Sequence, residues 1–306
     1  MRIITPESPA LQTKSILTVG TFDGVHRGHQ ALIQTLVEQA QQANLPSVVV
    51  TFEHHPKSIL SPQDYPGELT YLQHKIFLLE QAGVDICLLL PPTPELFALS
   101  PKDFYTHIIL PLLNPQTVII GSSHAFGNGR NGSPETLQEI GQTLGFETLI
   151  IDLYQDQAVI NSTTIRATIA KKDLPQTEHL LGHPLYISGT VIRGKQLGRT
   201  LGYPTANIHP SPHTYQWPSG VYAVYCHLAG ERYLGSLSIG TNTSVENSGH
   251  LHHEVYIHDF AATIYGEPIL LELKYFLRDQ QHYDTLARLT QAISQDVQTT
   301  KTLLTP

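Results

Sequence analysis

The hydrophobic texture of this chain changes once, near His183, and that change constrains the fold more than any other feature. Before it, short apolar runs alternate with helix-patterned stretches: SILTVG (15–20), QALIQTLVEQAQQA (30–43), PSVVVTF (46–52), LTYLQHKIFLLEQAGV (69–84), DICLLLP (85–91), PKDFYTHIILPLL (101–113), TVIIG (117–121), SPETLQEIGQTLG (133–145) and FETLIIDL (146–153). Strands and helices in that rhythm predict a parallel sheet with both faces covered. Ser133 with Pro134 reads as a helix N-cap followed by the first helical position. STTIRATIAKKD and LPQTEHLLG predict two short helices before the change. After it come PLYISGTVIRG, GVYAVYCHLAG, RYLGSLSIG, LHHEVYIHDF and ILLELKYFLR, alternating β-type runs set apart by Gly, Pro and Asn. They predict a small antiparallel barrel, with the amphipathic segment HYDTLARLTQAISQDVQTTKTLL as a helix over one side. Two domains are expected, 1–183 and 184–306, of ordinary size for a chain of 306 residues.

Composition removes several classes of function. The formal net charge of −8 argues against general nucleic-acid binding, which needs a basic face for phosphates. Anionic small ligands need only a locally positive pocket. No apolar stretch reaches the roughly 18–20 residues that a membrane span requires. The start, MRIITPESPALQTK, lacks the hydrophobic core of a secretion signal. Cys87 and Cys226 lie far apart in apolar runs, a pattern of buried free thiols in a reducing compartment rather than of a disulfide or metal site. A cytoplasmic location is expected.

Two stretches carry chemistry. The first, TVGTFDGVHRGH (18–29), leaves a strand and enters a helix, the place where ligands bind in open α/β sheets. A helix N-terminus offers free N–H groups and a positive dipole end to a phosphate. Gly20 and Gly24 permit close backbone approach, and Gly28 leaves no side chain between His26 and His29. Three positions apart on the first turn, the two imidazoles share a face and can both donate to phosphate oxygens. The spacing is neither G-x-G-x-x-G nor G-x-x-x-x-G-K-[ST], which disfavours a Rossmann dehydrogenase or a P-loop kinase. A glycine turn with two surface histidines is the structural alternative. A zinc site would need a third ligand that is not evident.

The second stretch, SGTVIRGKQLGRTLGYPTANI (188–208), opens the β-rich half. Gly194, Gly198 and Gly202 with Lys195 and Arg199 suggest a flexible basic phosphate cover. Thr205 and Asn207, two apart in a strand, face the same side and offer hard oxygens suited to Mg²⁺. An ordinary β-hairpin with glycine turns is the alternative reading.

GTFDGVHRGH resembles the H-x-G-H signature of nucleotidylyltransferases in the F-D-G-V-H-x-G-H form of bacterial FAD synthetases, and TFEHHP (51–56) and NSTTIR (161–166) resemble later elements of that family. The resemblance implies a Rossmann-like nucleotidylyltransferase domain. In it Gly20, Phe22, Asp23 and Gly28 line the nucleotide, and His26 and His29 steady charge on the α-phosphate and pyrophosphate. Ser162, Thr163 and Arg166 would serve the triphosphate. GRTLGYPTAN resembles the flavokinase element G-R-x-L-G-x-P-T-A-N, with PSGVYAV, SIGTNTS, HHEVYIHDF and LKYFLR following in order. That likeness implies Glu254 as general base and Thr205 and Asn207 as Mg²⁺ ligands. The whole order resembles the bifunctional riboflavin kinase/FMN adenylyltransferase family. It implies ATP, riboflavin and FMN as small-molecule substrates, FAD as product, and no nucleic-acid or membrane partner.

The pattern departs at GSSHAFG (121–127), where Ser123 and Ala125 stand in place of the family's Asp and Arg, and at Thr243 and Tyr256. A kinase with a weakened or altered adenylyltransferase half is therefore the second expectation. A flavin sensor without turnover would have no use for Glu254.

Overall fold

The computed structural model describes residues 1–122, 124–152, 155–156, 158–194, 197–240 and 251–305. Packing divides the chain into two units, Met1–Ser162 and Thr163–Pro306.

In the first unit six strands form one parallel sheet: β1 (Arg2–Ile4), β2 (Ser15–Val19), β3 (Ser47–Phe52), β4 (Ile86–Leu90), β5 (Pro115–Gly121) and β6 (Glu147–Ile151), in the order β1-β4-β3-β2-β5-β6. The central strands are mostly apolar and buried, SILTV in β2, SVVVTF in β3 and ICLLL in β4, because both faces of the sheet are covered. Their side chains alternate between two cores. Leu17, Val48, Val50, Leu88, Val118 and Ile120 pack with Tyr105, Ile109, Leu113 and Leu137 on one face. Ile16, Val49, Cys87 and Ile119 pack with Leu32, Ile33, Leu36 and Ala40 of the helix Arg27–Ala43 on the other. The strand order reverses at β2, whose neighbours are β3 on one side and β5 on the other, so the crevice of a doubly wound sheet opens at the carboxyl ends of β2 and β5. The sequence delivers GTFDGVHRGH to one of those ends and GSSHAFG to the other.

The predicted helix at Ser133 forms as Pro134–Leu144, with the Ser133 hydroxyl accepting the Thr136 N–H. PKDFYTHIILPLL does not form one regular helix. It runs as Pro101–Phe104, a π turn over Tyr105–Ile109, and Leu110–Leu113. Pro111 has no N–H to donate to a carbonyl four residues earlier, and the ladder widens to five-residue spacing just before it. Arg2–Ile4, a strand that the sequence pattern does not predict, pairs with β4 at the edge of the sheet. A two-residue pairing, β7 (Gln155–Asp156) with β8 (Ala158–Val159), follows β6.

The second unit begins with the helices over 162–170 and 174–181. Then β9 (Leu185–Ile192), β10 (Thr205–Pro210), β11 (Gly220–Leu228), β12 (Glu231–Gly240), β13 (His252–Ile257) and β14 (Pro268–Arg278) close into an antiparallel barrel, ordered β10-β13-β12-β11-β14-β9. Inward residues such as Ile187, Val224, Leu237, Val255 and Leu271 are fully buried. The expected terminal helix is Leu286–Leu304. Polar ties fix it as much as apolar ones: Arg278 donates to both carboxylate oxygens of Asp296 at 2.9 and 2.7 Å, Ser236 and Thr300 hydroxyls meet at 3.0 Å, and the Tyr225 hydroxyl donates to the Leu304 carbonyl.

Candidate active sites

Strand β2 is wholly buried and ends at Val19. The turn that follows is strained: Phe22 and Val25 hold φ of 48° and 37°, left-handed values that cost a β-branched residue most. Both side chains are 1% exposed, so core burial holds the turn in place. The turn delivers His26 as the N-cap of the helix Arg27–Ala43. The His29 N–H donates to His26 Nδ1 at 3.3 Å. That bond needs an unprotonated Nδ1, which places the proton of neutral His26 on Nε2. The imidazoles of His26 and His29 stack with centroids 3.6 Å apart, and the Phe22 ring meets His29 edge-on at 5.1 Å. A Cβ on Gly28 would stand 3.2 Å from the His26 ring, and one on Gly20 3.1 Å from Phe22, so both positions are filled by neighbouring rings.

His29 is the electrically exposed member of the pair. Burial, then the neighbouring His26 ring and the Lys75 ammonium, hold its pKa well below the ordinary value, and its Nδ1 is a buried atom without a hydrogen-bond partner among the described residues. A buried polar atom left open in this way is an expensive feature unless a ligand completes it. Asp23 is buried; its Oδ1 accepts the Leu69 N–H at 2.8 Å and its carbonyl accepts the Ser162 hydroxyl at 2.9 Å. The structure therefore brings Gly20, Phe22, Asp23, His26, Gly28, His29 and Ser162 together. Thr163 is exposed, and Arg166 stands over the Tyr215 ring at 5.7 Å, both within the second unit. Ser123 lies outside the described residues; Ala125 is half-buried, and the rings of its sequence neighbours His124 and Phe126 stack on one another with centroids 5.5 Å apart.

Sequence reasoning missed two charged residues at this site, Lys75 and Glu68. Both are buried, at 4% and 7% exposure. The signal was present: Lys75 lies four residues before Leu79 and three after Leu72, on the inward stripe of the helix Leu72–Gln81.

In the barrel, register brings the second set together. Asn207 pairs with Glu254, Thr205 pairs with Tyr256, and Ser238 flanks Glu254 from β12. Alternation then places Thr205, Asn207 and Glu254 on the outer face, since His253, Val255 and Ile257 fill the inner one. The Thr205 hydroxyl donates to Glu254 Oε2 at 3.5 Å, a long contact. The glycines between β9 and β10 serve close approach. A Cβ on Gly194 would fall 2.1 Å from Asn207 Nδ2, and one on Gly198 2.3 Å from the Tyr203 carbonyl and 3.2 Å from Thr205 Oγ1. Gly202 has φ of 81°, and Arg199 sits on the short helix Leu197–Thr200. Arg199, Thr205 and Ala206 line a cleft of about 330 Å³ with Phe260, Ile264 and Tyr265. Lys195 and Thr243 lie outside the described residues.

Gly194→Ala should therefore push the Asn207 side chain out of place, and a reaction carried by this face should slow by about 100-fold, the loss typical of a reacting group displaced by an ångström. A reaction carried by the histidine pair, measured on the same preparation, should keep its rate. Native rates for both in Gly194→Ala would show that Asn207 can move without consequence.

Residues 8–165 match the family described as FAD synthetase, and residues 181–304 the one described as riboflavin kinase. The chain is 36% identical over 291 residues to a bifunctional riboflavin kinase/FMN adenylyltransferase of Escherichia coli (strain K12), covering 94% of this chain and 92% of that protein. A protein of the same name from Pseudomonas fluorescens is 34% identical, with 95% and 93% covered. A crystal structure named as a macrolide-efflux protein from Streptococcus pneumoniae shares the fold, with a TM-score of 0.86 at 28% identity over 98% of this chain and 99% of that one. Among the described residues of this chain, no helix is long and apolar enough to cross a membrane.

Proposed function

The chain belongs to the bifunctional riboflavin kinase/FMN adenylyltransferase family, and from that premise we propose how its residues divide two reactions. It transfers the γ-phosphoryl group of ATP to riboflavin, giving FMN and ADP, and the adenylyl group of a second ATP to FMN, giving FAD and pyrophosphate. We place the functional boundary at 183/184, which the riboflavin kinase match beginning at residue 181 supports.

For the first reaction, Glu254 takes the proton of the ribityl 5′-hydroxyl as that oxygen bonds to the γ-phosphorus and the bond to ADP breaks. Thr205 Oγ1 and Asn207 Oδ1 would hold Mg²⁺, and their all-oxygen chemistry fits it. The ion, when bound, would offset phosphate charge. Gly194 and Gly198 keep that face clear, and Lys195 and Arg199 of the intervening segment meet phosphates as cations.

For the second, an FMN phosphate oxygen attacks the α-phosphorus and pyrophosphate leaves. The His26 Nε2–H and the His29 ring donate to the phosphates at a helix N-terminus. Gly20, Phe22, Asp23 and Gly28 shape the turn. Ser162 bonds to that turn, and Thr163 and Arg166 on the same helix serve the triphosphate. Positioning and electrostatics suffice, so no covalent intermediate is needed. Cys87 and Cys226, both buried and free, suit a reducing cytoplasm, where we place the enzyme.

The observation that carries this division is the gathering of Thr205, Asn207 and Glu254 on one barrel face, with the stacked histidines at the reversal point of the sheet. Incubation with riboflavin, ATP and Mg²⁺, followed by separation of the flavins over time, tests it. FMN should rise and then fall as FAD accumulates. FMN accumulating without FAD would leave only the first reaction.

A further inference from the structure

We propose that Lys75 is a positioning residue for adenylyl transfer: its buried ammonium ties the turn carrying His26 and His29 to the loop after β3 and fixes a positive charge at the carboxyl ends of those two strands. This rests on the reading of the histidine pair as the adenylyl-transfer site. Lys75 Nζ donates to the Phe52 carbonyl at 2.8 Å and, more weakly, to the Thr21 carbonyl at 3.5 Å. Those carbonyls belong to TFEHHP and TFDGVH, the segments that leave β3 and β2.

A lysine is seldom buried without compensation, and here Glu68 and Asp23 supply it. Burial lowers the pKa of Lys75, and the charges of Glu68 and Asp23 oppose that shift. Each carboxylate also binds a loop: Glu68 Oε1 accepts the His55 N–H at 2.7 Å, and Asp23 Oδ1 accepts the Leu69 N–H. The group thus crosslinks the segments at 21–23, 52–55 and 68–69. Burial pushes the neighbouring Cys87 thiol up to about 11, so it stays a neutral thiol and adds no counter-charge. A Leu or Met at this inward helical position would pack without any of this. The ammonium also acts on the chemistry, because burial is the main cause that lowers the proton affinity of His29 and the Lys75 charge lowers it further.

The test uses the full-length protein with Lys75→Met, Lys75→Gln, Lys75→Arg and His29→Ala. Circular dichroism and thermal unfolding of each preparation report folding, and FMN-to-FAD conversion is followed across pH. Lys75→Met and Lys75→Gln should lose up to about 100-fold in the turnover of FAD formation. Removing the cation raises the pKa of His29, so the acid-side inflection of their pH profiles should move to higher pH. Lys75→Arg should keep the native inflection, and a displaced one would overturn the proposal even if the neutral variants fail to accumulate. Native rates in Lys75→Met and Lys75→Gln, or slower rates with an unmoved inflection, overturn it as well. Native FAD formation in His29→Ala would instead overturn the histidine-pair reading on which the proposal stands.

Discussion

Glu254→Gln should reduce FMN formation by about 10²–10⁴-fold, the usual cost of removing a general base. Glutamine keeps the size of the side chain and an oxygen that the Thr205 hydroxyl can reach, so the outer face of β10 and β13 should hold its shape. What is lost is the capacity to accept the 5′-hydroxyl proton. The loss should fall on turnover, with riboflavin and ATP binding changed far less. FAD formation from supplied FMN should continue at its native rate, because His26 and His29 belong to the other unit. Equal damage to both reactions would mean that Glu254 supports the fold, not the proton transfer.

His29→Ala should have the opposite selectivity. Loss of one donor from a site that stabilises developing charge typically costs 10²–10³ in rate, or roughly 3–4 kcal/mol. In the free protein the ring is neutral at pH 7, since burial first, and then the neighbouring His26 ring and the Lys75 ammonium, oppose its protonation. A polyphosphate brings negative charge to that ring and to the positive dipole end of the helix, and the bond strengthens as the leaving pyrophosphate gains charge. FAD formation should therefore fall while ATP affinity changes little and FMN formation stays intact. The variant also removes the stacking of His29 on His26, so thermal unfolding of the same sample serves as its folding control. Brisk FAD formation in His29→Ala would show that the imidazole at the first helical turn takes no part.

The sheet was legible because it is buried on both faces: VVV at 48–50 and ICLLL at 86–90 contain no polar position to confuse strand with surface helix. Ser133 and Pro134 marked their helix because capping chemistry is local. The barrel was legible from alternation, since Val255 and Ile257 point inward while Glu254 and Tyr256 do not. Arg2–Ile4 escaped notice because a three-residue edge strand borrows its hydrogen bonds from β4 and needs little apolar pattern of its own. The π turn at Tyr105–Ile109 depends on how Pro111 relaxes in its packed setting, which periodicity does not encode. At the active sites, motif residues were readable one by one. Contacts between distant segments were not: the Lys75 ammonium meets carbonyls 54 and 23 positions earlier, and the clash that forbids a side chain at Gly194 comes from Asn207 on the next strand.

Closure of the barrel governs how copies of this protein can meet. Each of its six strands is hydrogen-bonded on both sides, so the ring presents no open backbone ladder onto which a foreign strand could add. In the first unit the parallel sheet ends at β1 and β6, of three and five residues. Runs that short give a recruited segment few bonds to make. Among the described strands, only these two and the minor β7–β8 pair leave edges open, so templated strand addition, the common route from a concentrated β-rich protein to fibres, has little purchase on this one.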